Sequence, residues 1–345
     1  MQSVVFFNNK GGVGKTTLCC NVASFVGAGR SKNVLLIDCD PQCNSTRLIL
    51  GDERCEDLYY GGEEGFQSDT ILSVLRPILD GDSSINDNVT PVDSRHNRFG
   101  VDLLPGHPEL AMLEDALSDA WGSLGAGKVE GLRRTHWATY LLRSLSKYDL
   151  IIFDVGPSLG ALNRSVLVGS ESFITPMGCD IFSIVGVRNI AKWLTNWLRT
   201  YDVGVSLCQK ERAGVLDEYK VPITLPIKQG FAGYTVQQYI TKSKEGVRRP
   251  TTAYENIMLL IPKEIRNNLL PFSCALHERE ARLGDVPHLY SLVPLAQANN
   301  APIQGLKSAD GLVGAQYGQQ EAYTGLIEGV ADRLLVNLAQ KVLAQ

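Results

Sequence analysis

No two of the eight cysteines (Cys19, Cys20, Cys39, Cys43, Cys55, Cys179, Cys208 and Cys274) form a CxxC pair, and the five histidines make no cluster beside them. A zinc ribbon or a thioredoxin-type site therefore finds no support. Free thiols filling small apolar gaps are the expectation. Cys39 and Cys43 draw more interest, because they flank a loop rich in polar side chains. No stretch approaches the ~20 uninterrupted apolar residues of a membrane helix. A glycine loop that begins at Lys10 leaves no room for a removable signal segment, so a soluble cytoplasmic protein with no membrane attachment is expected. Aromatic residues make up 8% of the chain, charged residues 20% and apolar residues 44%. Those shares argue against disorder, collagen-like repeats and coiled coil as the main state. Internal repeats and low-complexity linkers are also lacking.

The 345 residues leave room for two units, although α/β chains of this length are often undivided. A single domain over 1–345 is expected, with insertions at about 51–93 and 202–232. The net charge of −4 is unevenly spread. Between Gly51 and Asp93 eleven Asp or Glu face two Arg, which leaves the remainder of the chain net basic. This acidic stretch, with Gly61, Gly62 and Gly65 beside Tyr59 and Tyr60, reads as an exposed excursion.

Short β-branched and aromatic runs at Val4–Phe7, Val34–Ile37 and Leu150–Phe153 predict buried strands. Further strands are expected at Val101–Leu104, Ser172–Thr175, Tyr234–Gln238 and Tyr290–Val293. Helical stretches such as Thr16–Val26 and Thr135–Ser146 are long enough for right-handed crossovers. The economical architecture is α/β: a mostly parallel, twisted sheet of seven or eight strands with helices on both faces. Later helices are expected at Val187–Tyr201, at Tyr254–Asn268 (bending or ending at Pro262) and at Glu321–Leu343. In the last, Ile327, Val330, Leu334, Leu338 and Val342 form one apolar stripe. Its other face, with Glu328, Asp332 and Arg333, lacks the basic excess of a membrane-surface helix. Trp193 and Trp197 form an apolar surface, for the core or for a partner.

The first strand runs directly into Asn8-Asn9-Lys10-Gly11-Gly12-Val13-Gly14-Lys15-Thr16-Thr17 and then a helix-compatible segment. The general phosphate-loop pattern GxxxxGK[ST] is missed by one residue, since Asn9 occupies the first glycine position; Asn tolerates the left-handed conformation. Gly11, Gly12, Val13 and Gly14 let backbone N–H groups encircle a β-phosphate at a helix N-terminus. Lys15 then reaches the β and γ oxygens, Thr16 offers a hydroxyl to Mg²⁺, and Thr17 continues the cradle.

This segment resembles the deviant phosphate loop KGGxGKT[TS] of the ParA/Soj/MinD ATPases, matching it throughout Lys10–Thr17. Two further segments resemble the same family: Val34-Leu35-Leu36-Ile37-Asp38-Cys39-Asp40-Pro41-Gln42-Cys43-Asn44-Ser45-Thr46, and the Walker B strand with its switch loop, Tyr148 to Gly160. So do Phe99–Leu110 and Phe173–Pro176. Similarity is good to about residue 200 and thin beyond. The resemblance implies a P-loop NTPase fold, ATP and Mg²⁺ as ligands, and a homodimer formed with ATP, in which Lys10 reaches the partner's phosphates. It implies that Asp38 and Asp154 act in or near the magnesium shell and that Asp40 orients the attacking water. Adenine is expected near Pro294, in a late strand-to-proline loop, with Gln238 as a second candidate. One departure stands out. The family's DxPPS reads Asp154-Val155-Gly156-Pro157-Ser158 here, and Gly156 permits backbone angles that proline forbids.

By resemblance the function is ATP hydrolysis as a dimerisation switch that segregates or positions DNA or a protein cargo. Turnover is expected to be slow and stimulated by an activating or cargo protein, with a nucleoid location where DNA is bound. Within Ile240–Arg266 the basic residues outnumber the acidic, and Lys242, Lys244, Arg248 and Arg249 are candidates for sequence-independent DNA contact. An ordinary solvated mixed-charge face is the other reading. Two other classes stay open. A reductase like the nitrogenase iron protein needs cluster-ligating cysteines after Asp154, and the switch loop has none. A nucleotide-binding scaffold of little turnover, acting through protein partners, is the other.

Overall fold

The computed structural model describes residues 1–61, 68–239, 241–244, 247–250, 252–274, 276–289 and 291–344, and for 238, 239, 241–244, 247–250, 252, 253 and 342–344 the backbone alone. The chain opens with β1 (Gln2–Phe6), the glycine loop and α1 (Lys15–Ser24), which continues as a π turn through Gly29. β2 (Val34–Cys39) is followed by α2 (Asn44–Leu50), α3 (Asp52–Tyr60) and α4 (Ile71–Leu79), and then β3 (Asp102–Leu104). Three helices, α5 (Leu113–Gly125), α6 (Val129–Thr135) and α7 (Trp137–Ser144), lead to β4 (Leu150–Val155). α8 (Ala161–Gly169), β5 (Ser172–Gly178), the long α9 (Ile181–Glu211), the single turn α10 (Val215–Glu218) and β6 (Phe231–Tyr239) come next. A hairpin of β7 (Thr241–Lys244) and β8 (Val247–Pro250) precedes α11 (Thr252–Asn268), and α12 (Glu278–Ala281) precedes β9 (Arg282–Pro287). The chain ends with α13 (Leu292–Ala298) and α14 (Gln316–Ala344).

Seven strands form one parallel sheet in the order β3-β2-β4-β1-β5-β6-β9, and β7–β8 stands apart as an antiparallel pair. The central strands are apolar almost throughout because both faces are covered. Alternation divides their side chains. Val5, Phe7, Leu35, Ile37, Ile151 and Phe153 pack on the face built from helices such as α4, α5, α8 and α9. Val4, Phe6, Val34, Leu36, Leu150 and Ile152 pack against α1, α13 and α14. The strand ends that matter are in register: Phe6 is paired with Asp154, and Asp154 with Asp38. The topology therefore brings the glycine loop and both carboxylate-bearing loops to one edge of the sheet.

Three expectations need correction. Of the strand foreseen at Tyr290–Val293, Leu292 and Val293 instead begin α13, and the edge strand is β9, where Leu283 and Val286 are buried. Tyr290 itself lies outside the described residues. A short apolar run does not distinguish strand from helix, and Pro294 fits the first helical turn, whose N–H groups have no intrahelical partner. The acidic excursion is not exposed throughout: α4 buries Ile71, Leu72, Val74, Leu75 and Ile78 and is capped at Thr70. α11 runs on past Pro262 to Asn268, so the proline does not end it, and Ile261 and Ile265 are buried on either side. Residues 202–211, assigned to an insertion, are the last turns of α9.

Candidate nucleotide-binding site

Gly12 and Gly14 have φ of 73° and 76°, left-handed values that favour glycine and turn successive N–H groups inward. Gly14 is the N-cap of α1, so the positive end of that helix faces the same space. The loop is held from outside. Asn8 donates to the Pro176 carbonyl at 2.6 Å and accepts from the Lys10 N–H at 2.9 Å. With its amide oriented to satisfy both sides, Gln237 donates to the carbonyls of Val13 at 3.0 Å and Gly14 at 3.3 Å. A cavity of about 610 Å³ opens over the loop, lined also by Asp40, Gln42, Asn44, Arg47, Leu48, Pro157, Gln297, Ala298 and Asn300.

Lys15 is 7% exposed; its ammonium donates to the Val155 carbonyl and lies 3.5 Å from Asp154 Oδ1. Asp154 is fully buried, with Oδ2 accepting from the Ser45 hydroxyl. Its Oδ1 accepts no hydrogen bond. Asp38 beside it accepts from the N–H of Asp40 at 3.1 Å, the N–H of Thr46 at 2.9 Å and the Thr46 hydroxyl at 2.7 Å. Burial, and then the Asp154 charge, push the Asp38 carboxyl well above the usual carboxylate range. Asp38 thus organises the 38–46 loop, and Asp40 is the carboxylate on the cavity wall. Burial raises Asp40 as well, against the Gln42 N–H and the Lys15 charge, which lower it.

The second loop is equally constrained. Asn163, on α8, donates to the carbonyls of Gly156 at 2.7 Å and Ser158 at 2.9 Å. Glu114, from α5, accepts the first N–H groups of α8 at Ala161 and Leu162. A side chain at position 156 would place its Cβ 3.2 Å from Asp40 Oδ1. Gly156 therefore permits the two loops to close on each other.

Lys10 stands on the rim and is ion-paired to Asp180, the N-cap of α9, each about one-third exposed. Burial would raise Asp180, but Lys10 and the Ser183 N–H hold it below its ordinary value. Pro294 is not on the cavity wall; the C-terminal end of its helix and Asn300 are. The Gln238 side chain lies outside the described residues, whereas its neighbour Gln237 braces the glycine loop. Lys242, Lys244, Arg248 and Arg249 fall on β7 and β8, with Lys242 opposite Arg249 in the backbone register; their side chains are outside the described residues. Cys39 and Cys43 are buried free thiols. Burial chiefly raises both, Cys43 to about 12, so neither is a ready thiolate. Among the described residues no cluster of three His, Cys, Asp or Glu could hold a metal, and no helix is long and apolar enough to cross a membrane.

Sequence reasoning did not single out Ser45, Thr46, Asn163, Glu114, Asp180, Gln237 or Asn300. Ser45 and Thr46 lay within a motif already recognised. The others carry no local signal, since their partners are set by the fold.

A parallel sheet with a glycine loop at its first strand–helix turn, and buried carboxylates on the neighbouring strand β4 and on β2 beyond it, defines a P-loop NTPase. Residues 1–203 match the family model described as AAA domain. The chain belongs to that family, with the ParA/Soj partitioning ATPases. It is 29% identical over 184 residues to the chromosome partitioning protein ParA of Myxococcus xanthus, covering 53% of this chain and 54% of the relative. It is 30% identical over 190 residues to the chromosome-partitioning ATPase Soj of Thermus thermophilus, covering 55% and 60%. The match thus spans little more than half the length of these relatives. A solved protein from Corynebacterium diphtheriae is 34% identical, with TM-score 0.70, covering 87% of this chain and 97% of that one. McdA from Cyanothece, at 14% identity and TM-score 0.58 over 97% of this chain and 99% of its own, shares the fold.

Proposed function

We propose that the chain binds and slowly hydrolyses ATP, pairs with a second copy in the ATP state, and uses that cycle to position or segregate DNA or a protein cargo in the cytoplasm. One observation carries this reading: Lys15 and Asp40 meet around a preformed phosphate loop, with Lys10 on its rim. Lys15 and the loop amides neutralise the β and γ oxygens, and Asp40 orients a water toward the terminal phosphorus. No covalent nucleophile is needed, because phosphoryl transfer to water rests on positioning and charge.

The donor set fits magnesium. Thr16 lies on the cavity wall, and Asp154 presents a buried carboxylate oxygen with no hydrogen bond, a hard-oxygen combination suited to that ion. Bound there, the ion would offset negative charge on the phosphates. Lys10 would leave Asp180 for the partner's phosphates, which makes occupancy and pairing one event. Asp38 is assigned to shaping the Asp40 loop. DNA contact through Lys242, Lys244, Arg248 and Arg249, and stimulation by a partner protein, belong to the same proposal.

Hydrolysis measured with and without duplex DNA, together with sedimentation of Asp40→Ala in Mg-ATP, tests the reading. Slow turnover and an accumulating Asp40→Ala dimer are expected. A monomer at saturating Mg-ATP would remove the switch.

A further inference from the structure

α8 is almost wholly covered. Of its nine residues only Arg164 and Gly169 reach solvent in part. The Arg164 guanidinium lies over the ring of Trp121, on α5, at 5.0 Å and over the ring of Trp197, on α9, at 5.2 Å. Stacking engages the face of a guanidinium and leaves its N–H edge free. Here that edge is unmet: among the described residues the buried Nε–H has no acceptor. Glu114 attracts Arg164, but its two oxygens accept the N–H groups of Ala161 and Leu162. The Trp121 indole donates to the Ser165 hydroxyl at 3.0 Å. Trp197, only 3% exposed, has no acceptor for its own indole N–H. Two buried donors without partners in one cluster are uncommon, because nearly all such groups are paired.

What the cluster lacks is a negatively charged acceptor. A carboxylate has two coplanar oxygens that match the guanidinium fork. The surroundings favour a protein as its source. Trp193, 40% exposed, lies 6.0 Å ring to ring from Trp197 and gives the cluster an apolar rim. α5 exposes Asp115 and Asp119, and α9 exposes Lys192 and Arg199. These two helices thus carry both signs, whereas a phosphate backbone calls for a basic face. Tryptophan and arginine side by side are also the residues that most often anchor protein interfaces.

We infer that Arg164, with Trp193 and Trp197, receives an aspartate or glutamate side chain of a separate protein docked across α5 and α9. The inference rests on the partner-stimulated cycle proposed above and gives that partner's chemistry. Arg164 directly follows Asn163, which holds the Gly156 and Ser158 carbonyls, so a docked carboxylate bears on the helix that fastens the switch loop.

Titration of the full chain with poly-L-glutamate at physiological ionic strength, followed by indole fluorescence, tests it, because three of the four tryptophans belong to this cluster. Saturable binding is expected. Arg164→Gln should weaken it roughly tenfold or more, as removal of one member of a desolvated charge pair does. Trp193→Ala, at an exposed position, should weaken it roughly threefold without moving the thermal midpoint. Lys192→Gln and Arg199→Gln should change it little, since exposed charges contribute weakly. If Arg164→Gln and Trp193→Ala bind as the parent does, or if Lys192→Gln and Arg199→Gln cost as much as Arg164→Gln, the cluster is not the site. A parent that binds no poly-L-glutamate leaves water as the partner of the two donors and overturns the inference. Duplex DNA that binds more tightly than poly-L-glutamate, and does so through Arg164, would assign the cluster to phosphate and overturn it as well. Absence of ATP hydrolysis under every condition would end the switch reading yet leave the carboxylate result standing.

Discussion

Lys10, the cation that distinguishes this phosphate loop, is ion-paired with Asp180 of the same chain, 170 residues away. Asp180 also caps α9, accepting the Ser183 N–H at 3.1 Å. A lysine held at home is not extended toward a neighbour. Both side chains are about one-third exposed, so the pair is a weak restraint, on the order of 0.2–1 kcal/mol.

Asp180→Asn tests that restraint with the least damage, because Asn caps a helix about as well as Asp. Freed of its counter-ion, Lys10 should let ATP-dependent pairing occur at roughly two- to fivefold lower protein concentration, the ratio that such a pair energy allows. Sedimentation in Mg-ATP at several concentrations reads this directly. Unchanged or weaker pairing would show that Asp180 does not compete for Lys10.

Gly156 makes a second prediction. Its missing side chain leaves room for Asp40, whose carboxylate would stand 3.2 Å from a Cβ there. Gly156→Ala should shift Asp40 by tenths of an ångström and lower kcat roughly tenfold with little change in KM, since misplacing a positioning group harms the transition state more than binding. Steady-state hydrolysis checks it. An unchanged kcat would mean that Asp40 has latitude in where it stands.

What the sequence revealed follows from how local each signal is. The glycine loop, the buried strands and the carboxylates at their ends are local patterns, and each falls where the runs and spacings predicted. α4 was equally readable, since Ile71, Val74, Leu75 and Ile78 recur at helical spacing, but the acidic residues around it masked the stripe. Tyr290–Val293 failed because four residues, with Ser291 among them, have no period to measure. Gln237 and Gln238 are neighbours on one strand, and only the placing of β6 in the sheet brings Gln237 to the glycine loop. Asp180 and Asn300 carry no local signal. One meets Lys10 and the other closes against α2 only in the folded chain.

His136 predicts the acid limb of stability. It is buried, with Nε2 3.1 Å from the Tyr201 hydroxyl and Nδ1 3.2 Å from the Thr139 hydroxyl. Tyr201 donates to the Pro222 carbonyl at 2.5 Å, so its oxygen accepts from Nε2–H, and burial favours the neutral ring. Burial, helped by the nearby Arg143, lowers His136 to about 3. The unfolded chain takes up this proton near pH 6.5 and the folded one does not, so this contribution is intact above about pH 6.5 and is lost as the pH falls toward 3. Each pH unit inside that window costs up to ~1.4 kcal/mol. His136→Gln should flatten the dependence between pH 6 and pH 5 while lowering stability at pH 7. Urea unfolding at the three pH values measures both effects, and an equal slope in the variant would assign the acid lability elsewhere.

Asn300, on the cavity wall, gives the last prediction. Asn300 has φ of 46°, and its amide donates to the carbonyls of Arg47 at 3.0 Å and Leu48 at 3.2 Å. It thereby fastens the chain after α13 to the end of α2, and both segments line the same cavity as the phosphate loop. With the phosphates of the proposed ATP in that loop, its nucleoside is expected against these segments. Asn300→Ala would remove both hydrogen bonds and place an alanine in a left-handed conformation, which together loosen the wall but leave Lys15 and Asp40 untouched. KM for ATP should therefore rise roughly tenfold with kcat nearly unchanged, the pattern expected when binding common to ground and transition states is lost. Asn300→Gly, free of the backbone strain, should show most of the same rise, because the lost hydrogen bonds and not the strain are at issue. A fall in kcat at constant KM in both variants would place Asn300 with the phosphate chemistry and remove the nucleoside from these segments.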